Sequence, residues 1–339
     1  MSDTASIIAH RDGRAGRILL NRPKALNALD QAMLRAITAA LEGWRDDPEV
    51  HLVLVEGTGE RAFCAGGDIR ALRQNHLDGA PERNEIFFSE EYALNRLVAE
   101  YPKPYVALVD GICMGGGIGL SVHGHYRVAS EHAMFAMPET GIGLFPDIGA
   151  SFLLPRLPGR LGYYLGLTGA RLTGADAVHG GLATQFTPRA ALPDLARALT
   201  QDGLTALATH AAPLPPFSLA AMRPAIDRCF APETMPAILT ALERERGGPH
   251  AEWAAHTLDV LAGLSPSALC WTLRLLLDGA HRTLAQVQAA ELALTRTVTA
   301  HPDFAEGVRA MVVDKDRRPR WQPARIDQVE PAAIAAMFG

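Results

Sequence analysis

The chain has 339 residues, 48% hydrophobic and 20% charged, with a net charge of −5. It is long enough for a sizeable core and for a second, smaller domain, its composition is that of a soluble globular protein, and its acidic balance offers no basic surface for DNA or RNA. Four scattered cysteines (Cys64, Cys113, Cys229, Cys270) without a CxxC argue against a disulfide framework or structural zinc and for a reduced cytoplasm. The opening MSDTASIIAHRDGRAGR has no apolar targeting core, and no later stretch offers about 20 uninterrupted apolar residues, so a chain that begins as written and stays off the membrane is expected.

In chain order, Arg17–Leu20 reads as a short strand and Asn21–Leu29 as a loop broken by Pro23. Asp30 is placed to cap a helix whose apolar face is Met33, Ile37, Leu41 and Trp44, ending near Asp46-Asp47-Pro48. His51–Val55 is the next strand, and the chain then runs through Arg61-Ala-Phe-Cys-Ala-Gly-Gly67-Asp68, a second strand feeding a glycine turn. A helix over Asn84–Glu100 precedes the strand Tyr105–Val109, four glycines at 115, 116, 117 and 119, and the strand Tyr126–Ala129. Two strands then a helix, repeated, predicts an α/β fold with glycine-lined loops at one sheet edge. From about Arg189 strand-like runs give way to Ala- and Leu-rich helices over Pro232–Arg246, Ala251–Leu264, Ser267–Leu277 and Leu284–Thr299, with Pro213–Pro216 as a linker or bend.

The glycine cluster admits no G-x-G-x-x-G, no P-loop lysine and, with His123 where G-x-S-x-G needs glycine, no nucleophile elbow. By itself it reads as a packing turn. Paired with Ala65-Gly66-Gly67-Asp68 it offers two loops whose main-chain N–H groups suit an oxyanion hole. Glu139 lies among Met137, Ile142, Leu144 and Phe145 in a Pro/Gly-rich loop, which predicts a partly buried carboxylate with a raised pKa, whereas Asp147 is equally placed to cap a helix over Ile148–Leu154. His123 and His125 have the strand spacing of metal ligands but no accompanying carboxylate or thiol, and Cys64 and Cys113 read as apolar fillers.

The segments Asn21–Leu29, Phe63–Asp68 and Gly115–Gly117 resemble those of the crotonase (enoyl-CoA hydratase/isomerase) superfamily. Phe87–Tyr92, Met114–Gly124, Ala136–Asp147, Ser265-Pro266, Asp303–Ala310 and the tail with Asp314, Pro319 and Trp321 are similar to its thioester-hydrolase branch, whose substrate is 3-hydroxyisobutyryl-CoA. The resemblance implies a crotonase-like spiral of ββα units over residues 1–200 that binds acyl-CoA, with a helical region over 201–339 closing over the active site. It further implies Gly67 and Gly116 as oxyanion donors, Glu139 and Asp147 as catalytic carboxylates, Glu91 in the substrate pocket, and Lys24, Ala25, Leu26, Ala65, Asp68 and Ile69 along the CoA path.

Where the hydratases carry a glutamate two residues past the GGG turn this chain has Gly119, and where they have glycine it has Asp147. That exchange points to hydrolysis of the thioester in valine breakdown, with hydration or isomerisation of an enoyl-CoA as the alternative and a silent acyl-CoA-binding protein as a third reading. Glu139 would act either as general base on water or as the nucleophile. No metal or redox cofactor is called for, since CoA is part of the substrate. Acyl-CoA is the expected partner, nucleic acid and membrane are not, and a homo-oligomer is compatible with this reading. After the aspartate, Ile148-Gly-Ala-Ser-Phe152 replaces the glycine run and tyrosine usual in the hydrolases.

Overall fold

The structure, a computed structural model, describes residues 5–338. Its strands are β1 (Ile7–Asp12), β2 (Ala15–Leu20), β3 (Leu52–Gly57), β4 (Ala62–Cys64), β5 (Tyr105–Val109), β6 (Ile112–Met114), β7 (Tyr126–Ala129), β8 (Met134–Ala136), β9 (Leu172–Thr173) and β10 (Gln185–Phe186). One sheet has the order β1-β2-β3-β5-β7-β10 and the other β4-β6-β8-β9; all neighbours are parallel except β1–β2 and β8–β9. Three times the chain lays one strand in the first sheet and the next in the second before turning helical: β3–β4, β5–β6 and β7–β8. This is the α/β class and the ββα repeat that the sequence predicts.

β3 and β5 are continuous apolar runs because both faces of a parallel sheet are covered. On one face Leu52, Leu54, Val106, Leu108 and Val128 pack with Leu195 and Leu199 of the helix Leu192–Asp202, each fully buried leucine contributing about 1.5–3 kcal/mol. Asp30 caps the helix Gln31–Arg45 by accepting the Met33 N–H at 2.9 Å, and Met33, Ile37 and Leu41 are buried as predicted, while Trp44 stays half-exposed. β1 was absent from the sequence expectation. Its HRD end is polar because it is an edge strand, paired only to β2.

Compactness divides the chain into two units. One takes in the chain up to Asp68, Glu90–Ala136 and Arg171–Phe217 and holds all the described strands; the other takes in Ile69–Ser89, Met137–Ala170 and everything from Ser218 on, and is helical. The division is not a single cut at residue 200: Met137–Ala170, with no strand to pair, packs within the helical unit. There a Cβ at Gly143 would strike the main chain of Asp303, and one at Gly279 the main chain of Ser151. The last described strand ends at Phe186, and Met235–Glu245, Ala251–Ala262, Pro266–Gly279 and Leu284–Val298 realise the four predicted helices. Among the described residues no single helix is long and apolar enough to cross a membrane; Ala251–Ala262 and Pro266–Gly279 pass that test only as a pair bent by 110°.

Candidate functional site

In the second sheet β4, β6 and β8 run parallel, with Cys64 beside Cys113 and Met114 beside Ala136. Their carboxyl ends release the chain along one edge, at Ala65, Gly115 and Met137, the edge where α/β sheets hold ligands. The Ala65–Asp68 loop is tied to the loop before it: Ala65 N–H donates to Leu26 O at 3.0 Å, Leu29 N–H to Gly66 O at 2.8 Å and Asp68 N–H to Leu29 O at 2.8 Å. Buried Asn27, at φ 56°, pins that earlier loop, its amide donating to Thr58 O and Ala62 O and its oxygen accepting the Arg22 N–H. Asparagine is among the few residues that tolerate this backbone region.

The two glycine turns abut. Gly66 has φ +98°, and a Cβ there would lie 3.1 Å from Met114 O and 3.4 Å from Gly116 N. The bridge between Leu29 and Gly67 uses the N–H groups of Leu29 and Asp68 but not that of Gly67, and Gly116 opens the helix Gly116–Val122, where an N–H has no helical acceptor. Neither N–H is used within the described residues, so adjoining turns hold two main-chain donors. Glu91, 3% exposed on the helix Pro81–Ala99, lies with Oε1 where a Cβ on Gly116 would be. Lys24 and Ala25 are exposed and Leu26 half-buried. Asp68, expected along a ligand path, forms an ion pair with Arg22 at 3.3 Å and so also fastens the loops.

A Cβ at Gly119 would lie 2.7 Å from Asn95 Oδ1, so any side chain there has to displace the amide of Asn95, which is 1% exposed. His123 ends the helix Gly116–Val122 rather than lying on a strand, and His125 Nδ1 accepts the Tyr105 N–H at 3.3 Å, so the metal-ligand spacing read from sequence is not realised. Burial pushes the Cys64 thiol up to about 12 and raises that of Cys113, which leaves both poor nucleophiles.

The carboxylates, with Ile69 at the start of the helix Ile69–Leu77, belong to the helical unit. Glu139 opens the 3-10 turn Glu139–Ile142, its carbonyl accepting the N–H groups of Gly143 and Leu144. It is 6% exposed beside fully buried Phe145, and Oε2 is buried with no hydrogen-bond partner. Burial first, then the neighbouring Asp147 carboxylate, hold its carboxyl well above the ordinary range. A buried, unpartnered carboxyl oxygen is expected only where a ligand or water completes it.

Asp147 is 5% exposed, and its carbonyl accepts the Ala150 N–H at 2.9 Å. The helix that follows, Ala150–Leu153, has Gly149 as its N-cap, and the N–H groups of Gly149 and Ser151 donate to the Glu291 carboxylate. Sequence reasoning missed Glu291. Its signal was a charge in line with the apolar stripe Val287, Leu294, Val298 on the buried face of its helix. The turn also rests on the C-terminal segment: a Cβ on Gly307 would strike the Ile142 main chain, and Asp303, 0% exposed, accepts from Ser265 Oγ at 2.5 Å and Gln322 N–H at 2.7 Å. A separate 950 Å³ cavity in this unit, lined by Arg160, Tyr163, Cys270, Leu273 and Phe338, contains none of the candidate residues. No group of three or more His, Cys, Asp or Glu arranged to hold a metal occurs among the described residues.

The sequence pattern of the enoyl-CoA hydratase/isomerase family matches residues 15–338. The chain is 42% identical to the mitochondrial 3-hydroxyisobutyryl-CoA hydrolase of Rattus norvegicus over 99% of its own length and 89% of the relative's, and 42% identical to that of Homo sapiens over 95% and 86%. Among solved structures it is similar to a carnitinyl-CoA dehydratase from Mycobacterium thermoresistibile (TM-score 0.93, 38% identity, 99% and 97% of the two chains). It is likewise similar to an enoyl-CoA hydratase from Rhodobacter sphaeroides (TM-score 0.91, 41% identity, the same coverage).

Proposed function

We propose that this chain, which belongs to the enoyl-CoA hydratase/isomerase family, hydrolyses 3-hydroxyisobutyryl-CoA to 3-hydroxyisobutyrate and CoA. The observation that carries the reading is Gly119 packed against the Asn95 amide. A hydratase holds its water between two glutamates; here the second position is Gly119, with the Asn95 amide where its side chain would start, while the carboxyl that acts on Glu139 is Asp147.

In this reading Gly67 and Gly116 donate to the thioester oxygen as it gains charge. Glu139 supplies a lone pair, to water as general base or to the acyl carbon as nucleophile, and its raised proton affinity suits the first task near neutral pH. The carbon–sulfur bond breaks, and Asp147 binds the substrate hydroxyl and passes the proton to the departing thiolate. Single turnover in ¹⁸O-water identifies the nucleophilic route when water opens the anhydride at the Glu139 carbonyl, since label then enters Glu139, whereas general-base attack of water puts the label in the product. Glu91 and the Lys24–Leu26 and Ala65–Ile69 segments are assigned to the acyl-CoA, with no metal or redox cofactor.

A thiol-reactive dye tests the whole reading. Thiol release from 3-hydroxyisobutyryl-CoA, faster than from isobutyryl-CoA, is expected, because the second ester lacks the hydroxyl that the buried Asp147 is read to bind. The names of the two solved relatives favour a second reading, hydration of a 2-enoyl-CoA or its reverse; fast hydration of crotonyl-CoA without thiol release would establish it. The compartment belongs to the same proposal. The relatives are named as mitochondrial, and the four unpaired cysteines are read here as those of a cytoplasmic enzyme, which fractionation of cells expressing the chain would check. Self-association into a homo-oligomer, measured by light scattering, completes the proposal.

A further inference from the structure

Glu291 sits in the middle of the helix Leu284–Val298 with 0% of its surface exposed. A carboxylate in such a place is costly unless donors surround it. Three do: the Gly149 N–H donates to Oε2 at 2.7 Å, and the Ser151 N–H and Oγ donate to Oε1 at 3.0 and 2.6 Å. Gly149 and Ser151 flank the first residue of the helix Ala150–Leu153, whose N-cap glycine has no side chain to satisfy those groups. Glu291 thus does for this helix, from 140 residues away in sequence, what a capping side chain does locally.

The turn it grips is strained. Ile148, fully buried and β-branched, has φ 58°, and Gly149 follows at φ 83°. A left-handed backbone is unfavourable for a residue with a Cβ, and it persists where its surroundings over-determine it. Asp147 is the residue immediately before, so any relaxation at Ile148 swings the Asp147 side chain.

We propose that Glu291 is a positioning residue for Asp147, holding the Ile148–Gly149 turn from behind so that the Asp147 carboxyl keeps one orientation. The inference rests on the reading that Asp147 serves the reaction. Burial pushes the Glu291 carboxyl up to about 8, against the three hydrogen bonds that favour its ionised form, and the charged group that acts on it is Asp147, the one that also acts on Glu139. Ionisation of Glu291 is therefore felt at Asp147.

The test is Glu291→Gln, which keeps the volume, removes the charge and turns an amide N–H₂ toward groups that are themselves donors. A kcat lower by about 10²-fold is expected from a misplacement on the ångström scale, with KM within about two-fold because Glu291 touches no substrate. The wild-type pH–rate profile should carry an inflection near pH 8 that the variant lacks, a change that a merely structural residue would not produce. Amide exchange over residues 147–152 should quicken while the rest of the helical unit stays protected. If the variant does not fold, Ser151→Ala removes only the hydroxyl donor and should show the same local exchange with a smaller loss of kcat. Wild-type kcat, an unmoved profile and unchanged exchange would overturn the proposal. A wild-type protein that releases no thiol from any acyl-CoA would instead overturn the hydrolase reading, and the exchange data would still decide whether Glu291 holds the turn.

Discussion

The strand-bearing unit offers two main-chain donors beside the buried Glu91, and the helical unit offers buried carboxyls alone. In the first, Gly67 and Gly116 keep N–H groups unused in abutting turns, and the glycines are fixed by space: at Gly66 and Gly116 any side chain meets Met114 or Glu91. These donors carry no proton that can be lost. In the second, Glu139 and Glu291 are desolvated until their proton affinities rise far above those of an exposed carboxyl. Rate should therefore respond to sterics in the first unit and to pH in the second, and each substitution below breaks or sharpens that contrast.

The largest effect is expected from Glu139→Gln, which removes the basic, nucleophilic carboxylate and leaves the volume. Turnover should fall by about 10²–10⁴-fold, with the dissociation constant for a CoA ester unchanged by calorimetry. Gly116→Ala comes next. It introduces a methyl group against Glu91 and Leu29, and a displaced oxyanion donor costs about 10²–10³-fold in kcat, here with a pH–rate profile of unaltered shape. A profile that moved with Gly116→Ala would erase the distinction between the units. Gly119→Glu should create no hydratase: the new side chain meets Asn95, and overpacking of this kind lowers stability by about 1–3 kcal/mol, read from chemical denaturation alongside a null crotonyl-CoA assay.

The same contrast explains what could be read from the sequence. Strands built of apolar runs and a helix with an Asp cap announce themselves locally, so β3, β5, the helix Gln31–Arg45 and the paired glycine turns were legible. The apolar loop around Glu139 likewise foretold its raised proton affinity. What was not legible depends on partners distant in the chain. Asp147 looked like a helix cap because its local pattern is that of one; Glu291 occupies that role from another helix. The grouping of Met137–Ala170 with the C-terminal helices follows from close approaches such as Gly143 to Asp303, which no local pattern encodes. His123 and His125 look like strand neighbours until His123 is found to end a helix. The hairpin strand β1 hides because edge strands are polar.

The smallest effect expected is on stability. Glu291 binds its proton more tightly in the folded chain, where its pKa is about 8, than a solvated glutamate carboxyl at 4.5 does. Between those values the native state holds more protons than the unfolded one, so the stabilising contribution is complete below the lower value and is lost as pH rises through the upper one. Glu139 acts in the same direction. Heated at pH 5.5 and again at pH 8.5, the wild type should lose about 5 °C in Tm at the higher pH. Glu291→Gln has no proton to release there and should lose less, whereas Gly116→Ala should track the wild type at both pH values. Equal slopes for wild type and Glu291→Gln would mean that the carboxyl is already ionised at low pH, its three donors outweighing burial, and the pH dependence assigned to the helical unit would then rest on Glu139 alone.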